Sequence, residues 1–244
     1  MVSLRYLPSF GDRSIAPNAM TPLEFELVVE KATRPYRSSG RYAWYFARGK
    51  LRHDPLFRSI TRRVLPRQEG KILDLGCGQG LLFAWLAAAG ERPARGADGW
   101  HGMELSPGRV KIARRALDGL ARIDCCDIRT SDFPSASVIA VFDVLQYMSA
   151  EDQYRVLEKS ARALEPGGTL LLREADAGAG LRFRVTQWAE RIVGAARGEL
   201  RQNLHHRAVR EWSAVLDQLG ITVTTQPMSE GTPFANILYV GRKR

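Results

Sequence analysis

Asp74, Gly76, Gly78 and Gly80 of the stretch DLGCGQG are the residues best suited by type and spacing to holding a small ligand. Glycines at alternate positions let the backbone reach positive φ, and its amide groups can then approach a ligand closely. The spacing narrows the ligand. A P-loop needs Lys followed by Ser or Thr after its glycines, and no such pair follows here. The dinucleotide fingerprint places its third glycine one residue further on, where this chain has Leu81. A nicotinamide dinucleotide therefore stays open only with that glycine misplaced. The acid is the stronger clue, because a carboxylate beside the turn repels a pyrophosphate and attracts an ammonium group. Glu104 can accept from both hydroxyls of a ribose, and Asp127 can take the amino hydrogens of an adenine. Ammonium, ribose and adenine on one ligand describe S-adenosylmethionine.

The elements that must position these acids are legible as an alternation of strands and helices from residue 71 onward, which predicts a parallel sheet covered on both faces. KILDLG reads as a first strand, GMEL as a second, ARIDCCDI as a third, SVIAVFDVL as a fourth and TLLLRE as a fifth. GLLFAWLAAAG is a helix apolar enough to be buried, and Ser106 and Pro107 begin the next as N-cap and first turn. SAEDQYRVLEKSARAL carries Ser149 and Asp152 at capping-box spacing, with an expected apolar stripe at Tyr154, Leu157, Ala161 and Leu164. It should stop at EPGG. Residues 180–200 set Leu181, Val185, Trp188, Ile192 and Ala196 on one helical face, with Arg184 and Arg191 elsewhere. AVREWSAVLDQLG then leads into ITVTT and NILYV, whose short connection predicts that one late strand runs antiparallel. The expected fold class is α/β, a Rossmann-like doubly wound sheet of seven strands, mostly parallel. Residues 1–65, with helical stretches EFELVVEKA and YAWYFARGKL, read as an N-terminal helical cap, and 66–244 as the catalytic domain with an inserted helix at 180–200.

At this point the chain resembles the class I S-adenosylmethionine-dependent methyltransferases, through LDLGCGQG, MELSPGRV, CDI, VFDVLQYM and LEPGGTLLL in that family's order. The resemblance implies S-adenosylmethionine as cofactor. Carried over residue by residue, it places Asp74, Gly76, Cys77, Gly78 and Gly80 at the amino-acid end and Glu104 with Leu105 at the ribose. Asp127 and Ile128 face the adenine, and Asp143 with Leu145 closes the pocket. The ten residues ERPARGADGW lengthen the link into the second strand and leave the register of Glu104 open. Arg48 adds a candidate cation for the methionine carboxylate. It falls with Arg41, Trp44 and Tyr45 on one helical face, where the aromatics could also sandwich a planar acceptor.

A sulfonium already activates its methyl group, so such an enzyme mainly aligns an acceptor and excludes water. A base is needed only for an acceptor that starts protonated, and the candidates are Tyr147, His53, His205 and His206. YAWYFARGKLRHDPLF, GLRFRVTQW and MSEGTPFANILYV resemble bacterial methyltransferases of aryl-polyene and xanthomonadin-type pigment biosynthesis. What that implies is a small hydroxyaryl acceptor, methylated on oxygen or carbon, with an acidic acyl carrier protein as candidate partner. Charge bears on the same question. The chain holds 36 Lys and Arg against 26 Asp and Glu, a formal net charge of +10, with 13 basic and 6 acidic residues in the first 70. A basic surface favours anionic partners. RNA methylation is the alternative, but amino-directed base methylases of this class resemble each other in an Asn/Asp-Pro-Pro-aromatic turn, where this chain reads DVLQ.

Three cysteines, two of them adjacent (Cys125 and Cys126), are a poor basis for structural bridges and fit a reducing compartment. Four histidines without ligand spacing predict no metal site. No apolar run reaches the roughly 18–20 residues that cross a bilayer, and MVSLRYLPSFGDRS lacks a secretory layout. A cytoplasmic location is expected.

Overall fold

Strand β1, Ile72–Leu75, is buried along its whole length, as a central parallel strand must be. It pairs in parallel with β2, Trp100–Glu104, and β2 in turn with β3, Arg122–Cys125. The computed structural model describes residues 20–60, 70–93, 99–180, 182–186 and 204–244. With β4 (Ala136–Phe142), β5 (Leu164–Ala175), β6 (Ile221–Pro227) and β7 (Asn236–Lys243), the strands form one sheet in the order β3-β2-β1-β4-β5-β7-β6. β7 runs antiparallel to both β5 and β6. The segment between β6 and β7 is too short for a parallel crossover, which takes a dozen residues or more. The seven-stranded, mostly parallel sheet with an antiparallel late strand is thus the expected architecture. β2 begins two residues earlier than GMEL suggests, at Trp100 and His101.

The residues divide into two compact units between Ala140 and Val141. In the first, α1 (Pro22–Thr33) opens on a complete capping box: Glu24 N–H donates to Thr21 Oγ1 and Thr21 N–H to Glu24 Oε2. A short 3-10 turn at Arg34–Ser39 leads into α2 (Arg41–His53) and α3 (Pro55–Ser59). α1 packs on α4 (Leu81–Ala88), and the 3-10 turn packs on α5 (Pro107–Leu117). Phe25 and Phe57 both lie against Trp85 of α4, at ring-centroid separations of 5.3 and 5.7 Å. The N-terminal helices therefore belong to the same hydrophobic core as β1–β3. The boundary expected at residue 65 falls outside the described residues, as do residues 1–19.

In the second unit, α6 (Ala150–Ala163) has Ser149 as N-cap, accepting from Asp152 N–H. Leu157, Ala161 and Leu164 of the expected stripe are buried, and only Tyr154 departs from it. Gln153, Val156, Leu157, Ser160 and Ala161 are buried, whereas Tyr154 is 39% exposed. A side chain one position from Gln153 points about 100° away on a helix of 3.6 residues per turn, so burying Gln153 turns Tyr154 outward. α6 ends at Ala163 as expected, but EPGG continues as extended chain within β5, with Gly167 at φ 71°. α7 (Val209–Gln218) precedes β6. Of the expected inserted helix, residues 182–186 are helical. Val185 is exposed there and Thr186 buried, its Oγ1 accepting from Ala235 N–H at 3.0 Å, which turns that face inward. Leu181, Trp188, Arg191, Ile192 and Ala196 lie outside the described residues.

Candidate functional site

The glycine turn is built by hydrogen bonds from β1 to the end of β2. Gly76 and Cys77 N–H donate to Met103 O at 2.7 and 3.1 Å, and Gly80 N–H closes back on Cys77 O at 2.9 Å. Gly76, Gly78 and Gly80 all have positive φ, 72°, 57° and 75°. Their reasons differ. A Cβ on Gly80 would sit 2.7 Å from Leu117 Cδ1, so this glycine lets α4 and α5 meet. A Cβ on Gly78 would meet nothing within 4 Å, so its freedom serves backbone shape and leaves open space above the turn.

The register of Glu104 is settled by its contacts. Glu104 Oε2 accepts from Gly78 N–H and Oε1 from Ser106 N–H, each at 2.9 Å, and Arg109 Nη1 lies 3.7 Å from Oε1. The acid is 5% exposed and holds the glycine turn against the start of α5. Asp74 is 4% exposed. Burial, with Glu104 nearby, pushes its carboxyl up to about 8. The same causes, burial first and then Asp74 and Glu104, raise the Cys77 thiol. Two buried acids beside an open backbone turn form a place where a cation is favoured, and Gln79 Oε1, buried in the same turn, has no hydrogen-bond partner.

Further along this unit, Asp127 accepts from Arg129 N–H at 2.9 Å and from its guanidinium at 2.6 and 3.0 Å. Ile128 is buried, and Leu105 is 62% exposed, free to cover a ligand. Arg48 is placed differently: its guanidinium lies 5.8 Å over the Trp44 ring, which Arg37 also approaches at 5.0 Å. Tyr42 and Tyr45 are exposed on the same helix, and His53 ends it, also exposed.

The second unit carries its own polar cluster. Asp143 has φ 58°, its N–H donates to Arg173 O at 3.0 Å, and its carboxylate receives the buried Arg173 guanidinium. Glu174 Oε1 accepts from Val144 and Leu145 N–H at 3.2 and 2.8 Å, shaping the turn Leu145–Tyr147. Leu145 is fully buried and Tyr147 is 43% exposed. Gln153 ties this turn to the histidines: its Nε2 donates to Leu145 O and to His205 O, while His205 N–H donates to Gln146 O at 2.8 Å. Arg207 Nε donates to Gln153 Oε1 at 2.7 Å. His205 is exposed, and His206 meets the Phe183 ring edge-on at 4.9 Å.

The structure therefore brings Asp74, Gly76, Cys77, Gly78, Gly80 and Glu104 together, and separately sets Tyr147 and His205 on adjoining backbone. Sequence reasoning missed Tyr36, Gln79, Gln153, Arg173, Glu174 and Arg207. Arg and Glu ending the apolar run TLLL were a usable signal for two of them, since buried charges need partners. Among the described residues no group of His, Cys, Asp and Glu could hold a metal ion.

Comparison with known proteins bears on this geometry. Residues 72–168 match the family model described as a methyltransferase domain. An O-methyltransferase family protein from Burkholderia thailandensis superposes with a TM-score of 0.61 at 18% identity, over 85% of this chain and 61% of that one. Human N-acetylserotonin methyltransferase in complex with SAM gives 0.59 at 17%, over 88% and 59%. This is the class I methyltransferase fold. Carboxy-S-adenosyl-L-methionine synthase of Chromohalobacter salexigens is 40% identical over 108 residues, 42% of this chain and 39% of the relative. The chain thus spans about two fifths of that relative's length. The domain match and the fold support S-adenosylmethionine as cofactor.

The residues present fit that group. An ammonium can sit against buried Asp74 and the open face of Gly78, and Glu104, already fixed by two amide groups, retains lone pairs for ribose hydroxyls.

Proposed function

We propose that this protein transfers a methyl group from S-adenosylmethionine to a small aromatic acceptor bearing a hydroxyl. The observation that carries the reading is the buried acid pair Asp74 and Glu104 flanking a glycine turn whose Gly78 face is open. When bound, the cofactor supplies an electrophilic methyl on a sulfonium. The chain's residues do the rest: Asp74 holds the ammonium end, Glu104 the ribose, Asp127 and Ile128 the adenine, and Leu105 covers the ligand. Asp143 and Leu145, fixed by Arg173 and Glu174, belong to the cofactor set that the family motifs assign. Tyr147 and His205, which share one hydrogen-bonded backbone network, are the candidates to take a phenol proton, with His206 and His53 behind them.

The aromatic acceptor is supported by the exposed Tyr42 and Tyr45 beside the Arg37–Trp44–Arg48 stack, which offers flat apolar surface next to cations for an aryl carboxylate. The basic charge supports an acidic acyl carrier protein as the acceptor's vehicle, and the outer motifs support a role in pigment or other secondary metabolism in the cytoplasm. All three cysteines are free, in keeping with a reducing compartment, and no helix among the described residues is long and apolar enough to cross a membrane.

The test is calorimetric titration with S-adenosylhomocysteine and with NADH, followed by methyl transfer to a panel of phenolic acids read by mass spectrometry. Binding of S-adenosylhomocysteine alone and a methylated aryl product are expected. Tight NADH binding would return the dinucleotide reading, and methylation confined to RNA would replace the acceptor class.

A further inference from the structure

Tyr36 stands in the 3-10 turn Arg34–Ser39, far from the glycine turn in sequence, yet it is fully buried and its hydroxyl donates to Gln79 O at 2.8 Å. Gln79 lies between Gly78 and Gly80, two of the three glycines whose positive φ gives the turn its shape. The other backbone bonds of the turn tie it to the sheet, to itself or to α4: Gly76 and Cys77 to Met103, Gly78 to Glu104, Gly80 to Cys77, and Ala84 to Gly80. Tyr36 ties it to the N-terminal helices instead. It is delivered there by packing, since the 3-10 turn rests on α5 while α1 rests on α4, the helix that Gly80 begins. A fully buried phenol with a single apolar-shielded bond to a backbone carbonyl costs desolvation if that bond is lost. A Phe would have satisfied the packing alone.

We propose that Tyr36 is a positioning residue that holds the glycine turn in its ligand-ready shape, so that the N-terminal helices set affinity for the amino-acid end of the cofactor. The inference rests on the cofactor reading above. Without the bond, Gln79 O loses its donor and the Gly78–Gly80 backbone must be ordered by the ligand, which lowers affinity. The effect is confined to ligands that reach the turn. S-adenosylhomocysteine carries the amino-acid end, whereas 5′-methylthioadenosine keeps the ribose and adenine and lacks it.

The experiment titrates both nucleosides into the full chain and into Tyr36→Phe, with melting and far-UV circular dichroism to confirm the fold. Expected is an S-adenosylhomocysteine Kd raised about five- to tenfold, the size of one lost hydrogen bond, with the 5′-methylthioadenosine Kd changed less than about twofold. Incorporation of 4-aminophenylalanine at position 36 restores a donor and should recover most of the lost affinity. Should Phe not yield folded protein, 4-fluorophenylalanine, which fills the hydroxyl's volume without donating, makes the same comparison. Equal affinities for parent and Tyr36→Phe, or an equal loss for both nucleosides, would overturn the inference while leaving the cofactor reading intact. A parent chain that binds neither nucleoside would sink both.

Discussion

Asp74 offers the sharpest test of the site's electrostatics, because the ligand-free fold holds its carboxyl at about 8 against an ordinary 3.8, through burial and then the charge of Glu104. Between those two pH values the folded chain keeps a proton that the unfolded chain has released. Folded protein then binds more protons than unfolded, so stability falls as pH rises. The contribution is fully present below about pH 4, lost progressively towards pH 8, and absent above. At about 1.4 kcal/mol for each tenfold change, the whole span is on the order of 6 kcal/mol. Asp74→Asn keeps the shape and cannot ionise. Urea unfolding of both proteins without ligand, at intervals from pH 5 to 9, should show the variant gaining on the parent through that window and levelling off above pH 8. S-adenosylhomocysteine should show the opposite preference, binding the parent more tightly than the variant, since its ammonium needs the ionised carboxylate. A difference in stability between parent and variant that stays constant from pH 5 to 8 would refute the reasoning.

Glu104→Ala strands the Gly78 and Ser106 amides and removes the proposed ribose acceptor, so S-adenosylhomocysteine should bind about 1–3 kcal/mol more weakly by calorimetry. Gly80→Ala meets both a φ of 75° and Leu117 Cδ1 at 2.7 Å, and a loss of about 1–3 kcal/mol in denaturant unfolding is expected. Arg173→Met removes the guanidinium that the part-buried Asp143 carboxylate receives, and about 2–3 kcal/mol of stability should disappear in denaturant unfolding. Arg48→Ala removes one of two cations from the Trp44 ring, which should cost under about 1 kcal/mol of stability. If the aryl acceptor rests on this helix, its KM should rise in that variant while S-adenosylhomocysteine affinity holds.

The sequence by itself determined the sheet and the glycine turn. Short apolar runs alternating with capped helices specify a doubly wound sheet because burial on both faces has few other solutions, and the spacing of Asp74, Gly76, Gly78 and Gly80 narrows the ligand through charge and backbone freedom. These are local properties, written in neighbouring residues. Which residue meets another across long stretches of chain was not legible in the same way. Only the tertiary structure decided that Glu104 spans the Gly78 and Ser106 amides, that Gly80 is needed by Leu117 as much as by any ligand, and that Gln153 faces inward at Tyr154's expense. Tyr36 makes the same point: as a residue type it reads as an aromatic in an amphipathic cap, and its role appears only once α1 and the 3-10 turn dock on α4 and α5. Packing of that kind depends on side-chain volumes and on hydrogen-bond partners far apart in sequence, which hydrophobic periodicity does not encode.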